Sequence, residues 1–187
     1  MNINKYTEKA QAAVVAAGGL AEQLNHPQIE PEHLLLALVE QADGVVPDLV
    51  RRIGVDPAQM AATLRTELAK GPQAYGGAQP QVSARFRRVA EAAESVAAGM
   101  KDEFVSTEHL LLALAAESGH APAARVLQDA GVTHQRMLEA LAAVRGSQRV
   151  TDQNPEAKYQ ALERYGRDLT ELARRDRLDP GGAFSLN

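Results

Sequence analysis

A chain of 187 residues, 45% hydrophobic and 24% charged with a formal charge of −4, is long enough for one ordinary domain or for one domain built by duplication with a tail. Zero Cys excludes disulfides, thiolate nucleophiles and Cys-based metal centres, and the scarcity of aromatics (4%) beside abundant Ala and Leu is a helical composition. The negative charge gives no general pull on nucleic acid, the opening "MNINKYTEKAQ" lacks the form of a signal peptide, and no run of about 18 apolar residues occurs, so a cytoplasmic protein with no nucleic-acid or membrane partner is expected.

In chain order, Thr7 is the first candidate helix cap, and apolar residues follow it at helical spacing: Ala10, Ala13, Val14, Ala17, Leu20 and Leu24. After Ile29 the letters "EPEHLLLAL" (30–38) open a second helix. Pro31 suits its first position, Glu32 complements the positive end of its dipole, and the Leu-rich run is apolar nearly all round, so this helix should be buried on most sides. A short third helix is expected from Pro47 to Gly54, and a fourth from Asp56-Pro57 through Met60, Leu64 and Leu68. "KGPQAYGGAQPQ" (70–81) has the composition of a flexible connector.

The pattern then starts again. At an offset of 76 residues Thr7 aligns with Ser83, Leu24 with Met100, Ile29 with Val105 and Glu32 with Glu108, and "STEHLLLAL" (106–114) repeats the seven letters Glu-His-Leu-Leu-Leu-Ala-Leu. At an offset of 77, Gly54-Val55 aligns with Gly131-Val132, Met60 with Met137 and Leu64 with Leu141. The fold class expected is all-α, with two four-helix repeats related by a pseudo-twofold axis, and a groove where they meet that accepts apolar peptide. The cluster Arg85, Arg87 and Arg88 reads as a solvated helix face. From Gly146, "GSQRVTDQNPEAK" is polar and non-periodic, a linker by composition. It leads to a ninth helix over Glu156 to Asp176, whose apolar stripe includes Tyr159, Leu162, Tyr165, Leu169 and Leu172. This stripe, which has no repeat partner, packs outside the repeat symmetry or serves for docking, with Tyr159, Leu162, Leu169 and Leu172 as its candidates.

Chemistry leaves few traces. Adjacent Glu and His on a helix point about 100° apart, so Glu32-His33 and Glu108-His109 do not make a metal motif, and the histidines are expected to be satisfied by a carbonyl or carboxylate. His26, His120 and His134 fit no ligand spacing. No G-x-S-x-G elbow, G-x-x-x-x-G-K-[ST] loop or G-x-G-x-x-G appears, so no catalytic residue, metal or cofactor is expected. Binding remains, with Met60, Met100 and Met137 as adaptable contacts or core fillers.

The duplicated "EHLLLAL", the opening "YTEKAQ" and "GSQRVTDQNPEAKYQALERYGRDLTELARRDRLDP" together resemble the amino-terminal (Clp-N, or Clp R) domain of the Clp family of AAA+ unfoldases, with the linker favouring the ClpB disaggregase branch. The resemblance implies a repeat domain over 1–146, a linker and entry to an ATP-using module over 147–180, and a tail over 181–187. It implies recruitment of unfolded or aggregated protein to a hexameric Clp ATPase ring that works with the DnaK system in the heat response, with ATP used only outside this chain. It also associates the positions of Thr7, Asp102 and Glu108 with substrate handling beside an apolar groove. Capping by Thr7 and a dipole role for Glu108 are compatible with that reading. After Leu178-Asp179-Pro180 the chain reads "GGAFSLN" in place of the family's continuation, which fits a fragment or a stand-alone protein acting as adaptor or decoy for a Clp ring.

Overall fold

The computed structural model describes residues 1–118 and 120–159. Thr7 caps the first helix, α1 (Glu8–Gln23), its hydroxyl accepting from the Ala10 amide at 3.2 Å. The buried face of α1 consists of Ala10, Ala13, Ala17 and Ala21. Side chains this small let α1 lie close against α2 (Pro31–Glu40), whose residues from Pro31 to Val39 are all buried. A helix buried all round is what its unbroken apolar run dictates. The third helix, α3 (Val45–Ile53), starts two residues ahead of Pro47 and stops at Gly54, which takes the left-handed conformation (φ 100°) that glycine adopts without a Cβ clash. Asp56 caps α4 (Pro57–Ala69).

The second unit repeats these devices. Ser83 caps α5 (Ala84–Gly99), α6 (Thr107–Ala115) is buried through Leu114, α7 (Pro122–Asp129) follows its proline, and Thr133 caps α8 (His134–Arg145). The two units interleave: α3 packs on α8 and, reciprocally, α7 on α4, while α2 meets α6 at the centre. One hydrophobic core runs through both, including Leu35, Leu38, Leu49 and Leu64 from the first and Leu111, Leu114, Leu127 and Leu141 from the second. Met60 and Met137 are buried in it and Met100 packs against it.

Two short parallel pairings join the repeats. β1 (Gln28–Ile29) pairs with β2 (Gln81–Val82), and an isolated bridge pairs Tyr6 with Val105. The repeat offset converts the pair Ile29–Val82 into Val105–Tyr6. Each unit therefore lends its leading residues to the other, the signature of an isologous twofold contact made within one chain. Two-residue strands carry no readable alternation, which is why helical periodicity alone left them out.

The segment expected as a linker packs on the repeats as far as it is described. Val150 is fully buried, and its carbonyl accepts from the Glu103 amide at 2.8 Å. Asp152 accepts from the Asn154 amide at 2.9 Å, and a helix starts at Pro155. Glu156 and Tyr159 are buried. Composition hid this because only Val150, Pro155, Glu156 and Tyr159 are buried in the described part of the segment from Val150 on, while most of its polar side chains face water.

Candidate functional site

The amino-terminal ends of α1 and α6 meet at one place, and the three residues singled out in the sequence lie around it. Each helix start leaves backbone amides without an intrahelical acceptor. Segment 150–156 supplies acceptors: the Gln153 carbonyl takes the Glu8 amide at 2.8 Å, and the Glu156 carboxyl faces the Thr107 amide at 3.4 Å. Thr7 is fully buried and uses its hydroxyl twice, accepting from Ala10 and donating to Glu156 Oε1 at 2.7 Å.

Asp102 is the hub of the neighbouring network. It follows the end of α5, where Lys101 takes a left-handed turn (φ 60°). One carboxylate oxygen accepts from Arg145 at 2.6 Å and from the Val150 amide at 2.9 Å, the other from His109 Nε2 at 2.7 Å and from Arg145 at 2.9 Å. Burial works against its charge, but the His109 and Arg145 hydrogen bonds prevail and hold its carboxyl well below the usual carboxylate range. His109 Nδ1 accepts the Ser106 amide at 2.9 Å, leaving Nε2 to carry the ring hydrogen given to Asp102. His109 is therefore a capping residue that reaches back to the amide of its helix's N-cap residue and forward to a carboxylate. That is the satisfied role expected for it.

Glu108 is buried at 1% exposure. Its Oε1 lies 3.4 Å from Arg145, and its Oε2 has no partner among the described residues. Arg145, last residue of α8, also donates to the Gln148 carbonyl at 2.8 Å and places its guanidinium 5.5 Å from the centre of the Tyr159 ring. Thr7, Asp102 and Glu108 thus belong to one buried assembly whose other members are His109, Arg145, Glu156 and Tyr159. Sequence reasoning missed Arg145, Glu156 and the Val150 backbone. Only the chain's return over the helix ends brings them in, and periodicity carries no signal for that.

Tyr159 is 1% exposed and packs into this assembly, so it does not contribute to an outward docking stripe. Its ring fills space beside Arg145, a better use of an aromatic than exposure. Leu162, Leu169 and Leu172, the rest of the ninth helix and the tail lie outside the described residues.

The equivalent junction in the other half, where α5 and α2 begin, has different chemistry. His26 stands where the second repeat has Asp102, and its Nδ1 lies 2.8 Å from His33 Nε2. His33 Nδ1 accepts the Glu30 amide. Burial, with the His26 charge adding to it, lowers His33 to about 4. Arg85 binds Glu30, Glu32 and Glu117 at 3.0–3.2 Å. It is therefore a pinned cation, in contrast to the exposed Arg87 and Arg88.

Among the described residues no helix is long and apolar enough to cross a membrane. Comparison with known proteins finds the Clp repeat (R) N-terminal domain matching residues 5–130. The chaperone protein ClpB of Nitratidesulfovibrio vulgaris is 42% identical over 184 residues, which is 96% of this chain and 21% of that protein, so the chain spans about a fifth of the relative's length. The N-terminal domain of Hsp104 from Candida albicans superposes with a TM-score of 0.70 at 23% identity, covering 81% of this chain and 99% of that one. A ClpV N-domain in complex with a VipB peptide superposes at 0.61 with 14% identity, covering 75% and 86%. These two likenesses concern the fold. With its two helical repeats, their caps and its close relatives, the chain belongs to the Clp repeat (R) N-terminal domain family.

Proposed function

We propose that this chain is the client-recruiting domain of a ClpB-type chaperone, binding unfolded or aggregated polypeptide in the cytoplasm for a Clp ATPase ring that works with the DnaK system. ATP turnover belongs to modules of the ring, and this domain contributes binding. The observation that carries the reading is the face around Thr7, Asp102 and Glu108, which holds residues 150–153 by their backbone. Asp102 takes the Val150 amide, the Glu103 amide gives to the Val150 carbonyl, and the Glu8 amide gives to the Gln153 carbonyl. Recognition through main-chain groups tolerates many sequences, as a chaperone's clients require. The VipB peptide on a ClpV N-domain is a peptide bound by a domain of the same fold.

The test is fluorescence anisotropy with a labelled, permanently unfolded protein, reduced and carboxymethylated lactalbumin, against its native form. The expected result is saturable binding of the unfolded form only, weakened at least about fivefold, roughly 1 kcal/mol, by Glu108→Gln. Equal binding of both forms, or a Glu108→Gln variant that binds like the parent, contradicts the proposal.

A further inference from the structure

The backbone contacts that make the client face recognisable are made by the chain itself. We infer that residues 150–159 form a strap that closes this face by seating Glu156 on Thr7 beside Glu108, so that a client reaches the face only when the strap lifts. The inference rests on the proposed client-binding role and adds how access to the face is controlled.

Four observations carry it. The strap meets the helix ends through polar contacts, Thr7 to Glu156, Asp102 to Val150 and the Glu8 amide to Gln153, and seats only two large apolar side chains, Val150 and Tyr159, in the core. Gln153 Nε2 also donates to the Asn4 carbonyl at 3.1 Å. The strap's own turn is held internally, by Asp152 with Asn154 and with Lys158, so it can leave as a preformed piece. The closed state is internally opposed. Glu156 Oε2, Glu108 Oε2, Tyr159 Oη and Thr107 Oγ1 are all buried without a partner among the described residues, and such groups weaken the state that buries them.

Charge opposes closure as well. The groups around Glu156 are Glu108 and His109 on α6, Arg145 at the end of α8, Asp102 after α5, Tyr159 on the strap, and Thr7 and Thr107 at the two helix starts. Arg145 pairs with Asp102 and, at 3.4 Å, with Glu108, and among the described residues no ion pair reaches Glu156, so an ionised Glu156 faces a Glu108 whose charge is only partly offset. Burial first, then the Glu108 charge, raise the Glu156 carboxyl from 4.5 to about 7, against the pull of the Thr7 hydrogen bond. A carboxyl raised in the closed state favours closure while it holds its proton. That contribution is complete below about 4.5, declines as pH rises and is gone above about 7. Between pH 5.5 and 8.5 those two values weaken closure by about thirtyfold.

The test is amide hydrogen exchange on the full chain at pH 5.5 and 8.5, corrected for intrinsic rates, reading Glu8, Glu103 and Val150. The parent should lose about thirtyfold protection at these amides, and Glu156→Gln, which carries no charge at either pH, should keep it. Protection independent of pH in the parent overturns the inference, as does the same loss in Glu156→Gln. The unfolded lactalbumin probe is then added at pH 8.5. A further fall in protection at Glu8, Glu103 and Val150 supports displacement of the strap, whereas binding that leaves the three amides unchanged shows that clients use another face and overturns it. If neither the parent nor Glu156→Ala binds the probe, the client reading fails. The pH response of the amides alone then decides whether the strap lifts.

Discussion

Asp102 and His26 stand at the same place in the two repeats, and their neighbours show how one position supports two chemistries. Asp102 compensates Arg145, which is only 4% exposed, so removing the carboxylate leaves the His109 N–H without its acceptor and a buried cation with only the Gln148 carbonyl and the longer contact to Glu108. Breaking a buried pair from one side costs about 3–5 kcal/mol. Asp102→Ala should lower unfolding stability by that amount in urea denaturation, and a loss below about 1 kcal/mol contradicts the assigned geometry. His33 makes a prediction in pH. It is lowered to about 4, below its ordinary 6.5, so its contribution is complete above about 6.5 and is lost as pH falls through about 4. Urea midpoints should therefore drop between pH 6.5 and 4, and His33→Gln should flatten that part of the profile. At this scale the sequence was legible where a residue acts locally. Thr7 and Ser83 cap the helices their spacing announced, whereas Arg145, which pairs with Asp102 and Glu108, comes from 43 and 37 residues away respectively and no local pattern points to it.

Helix ends were legible because a few residue types solve their chemistry, and glycine shows this best. Gly54 ends α3 at φ 100° with open space where a Cβ would go, while Gly19 lies inside α1 with equally open space. Steric contact is therefore the same at both, and only backbone conformation differs. Gly54→Ala should destabilise by about 1 kcal/mol and Gly19→Ala should stabilise by about 0.5–1 kcal/mol. Thermal unfolding of the two variants checks the opposite signs, and equal shifts contradict the conformational account. The start of α3 at Val45, ahead of Pro47, shows the limit of such rules: proline is tolerated anywhere in a first turn, so it marks a helix start only to within a few residues. The strands β1 and β2 and the strap stayed hidden for a different reason. They exist through pairing with distant backbone, to which a local pattern is blind.

Across the whole molecule, duplication explains both the architecture and its asymmetry. The repeats share one core, exchange their leading strands and dock α3 on α8 and α7 on α4. Leu35 and Leu111, fully buried at equivalent places in α2 and α6, should each cost about 2–5 kcal/mol when replaced by Ala. Each replacement should shift a single unfolding transition for probes in both halves, and two separate transitions would contradict one shared core. The symmetry is broken at the two helix junctions, one closed by Arg85 among acids, the other by the chain's own Glu156. The proposed client binding falls at the second junction, under residues 150–159. The most direct measurement is nuclear magnetic resonance mapping of the full chain titrated with unfolded lactalbumin. Perturbations should concentrate at Thr7, Glu8, Thr107, Glu108, Val150 and Gln153. Perturbations confined to the Arg85 junction, or to the far ends of α1 and α5, would contradict it.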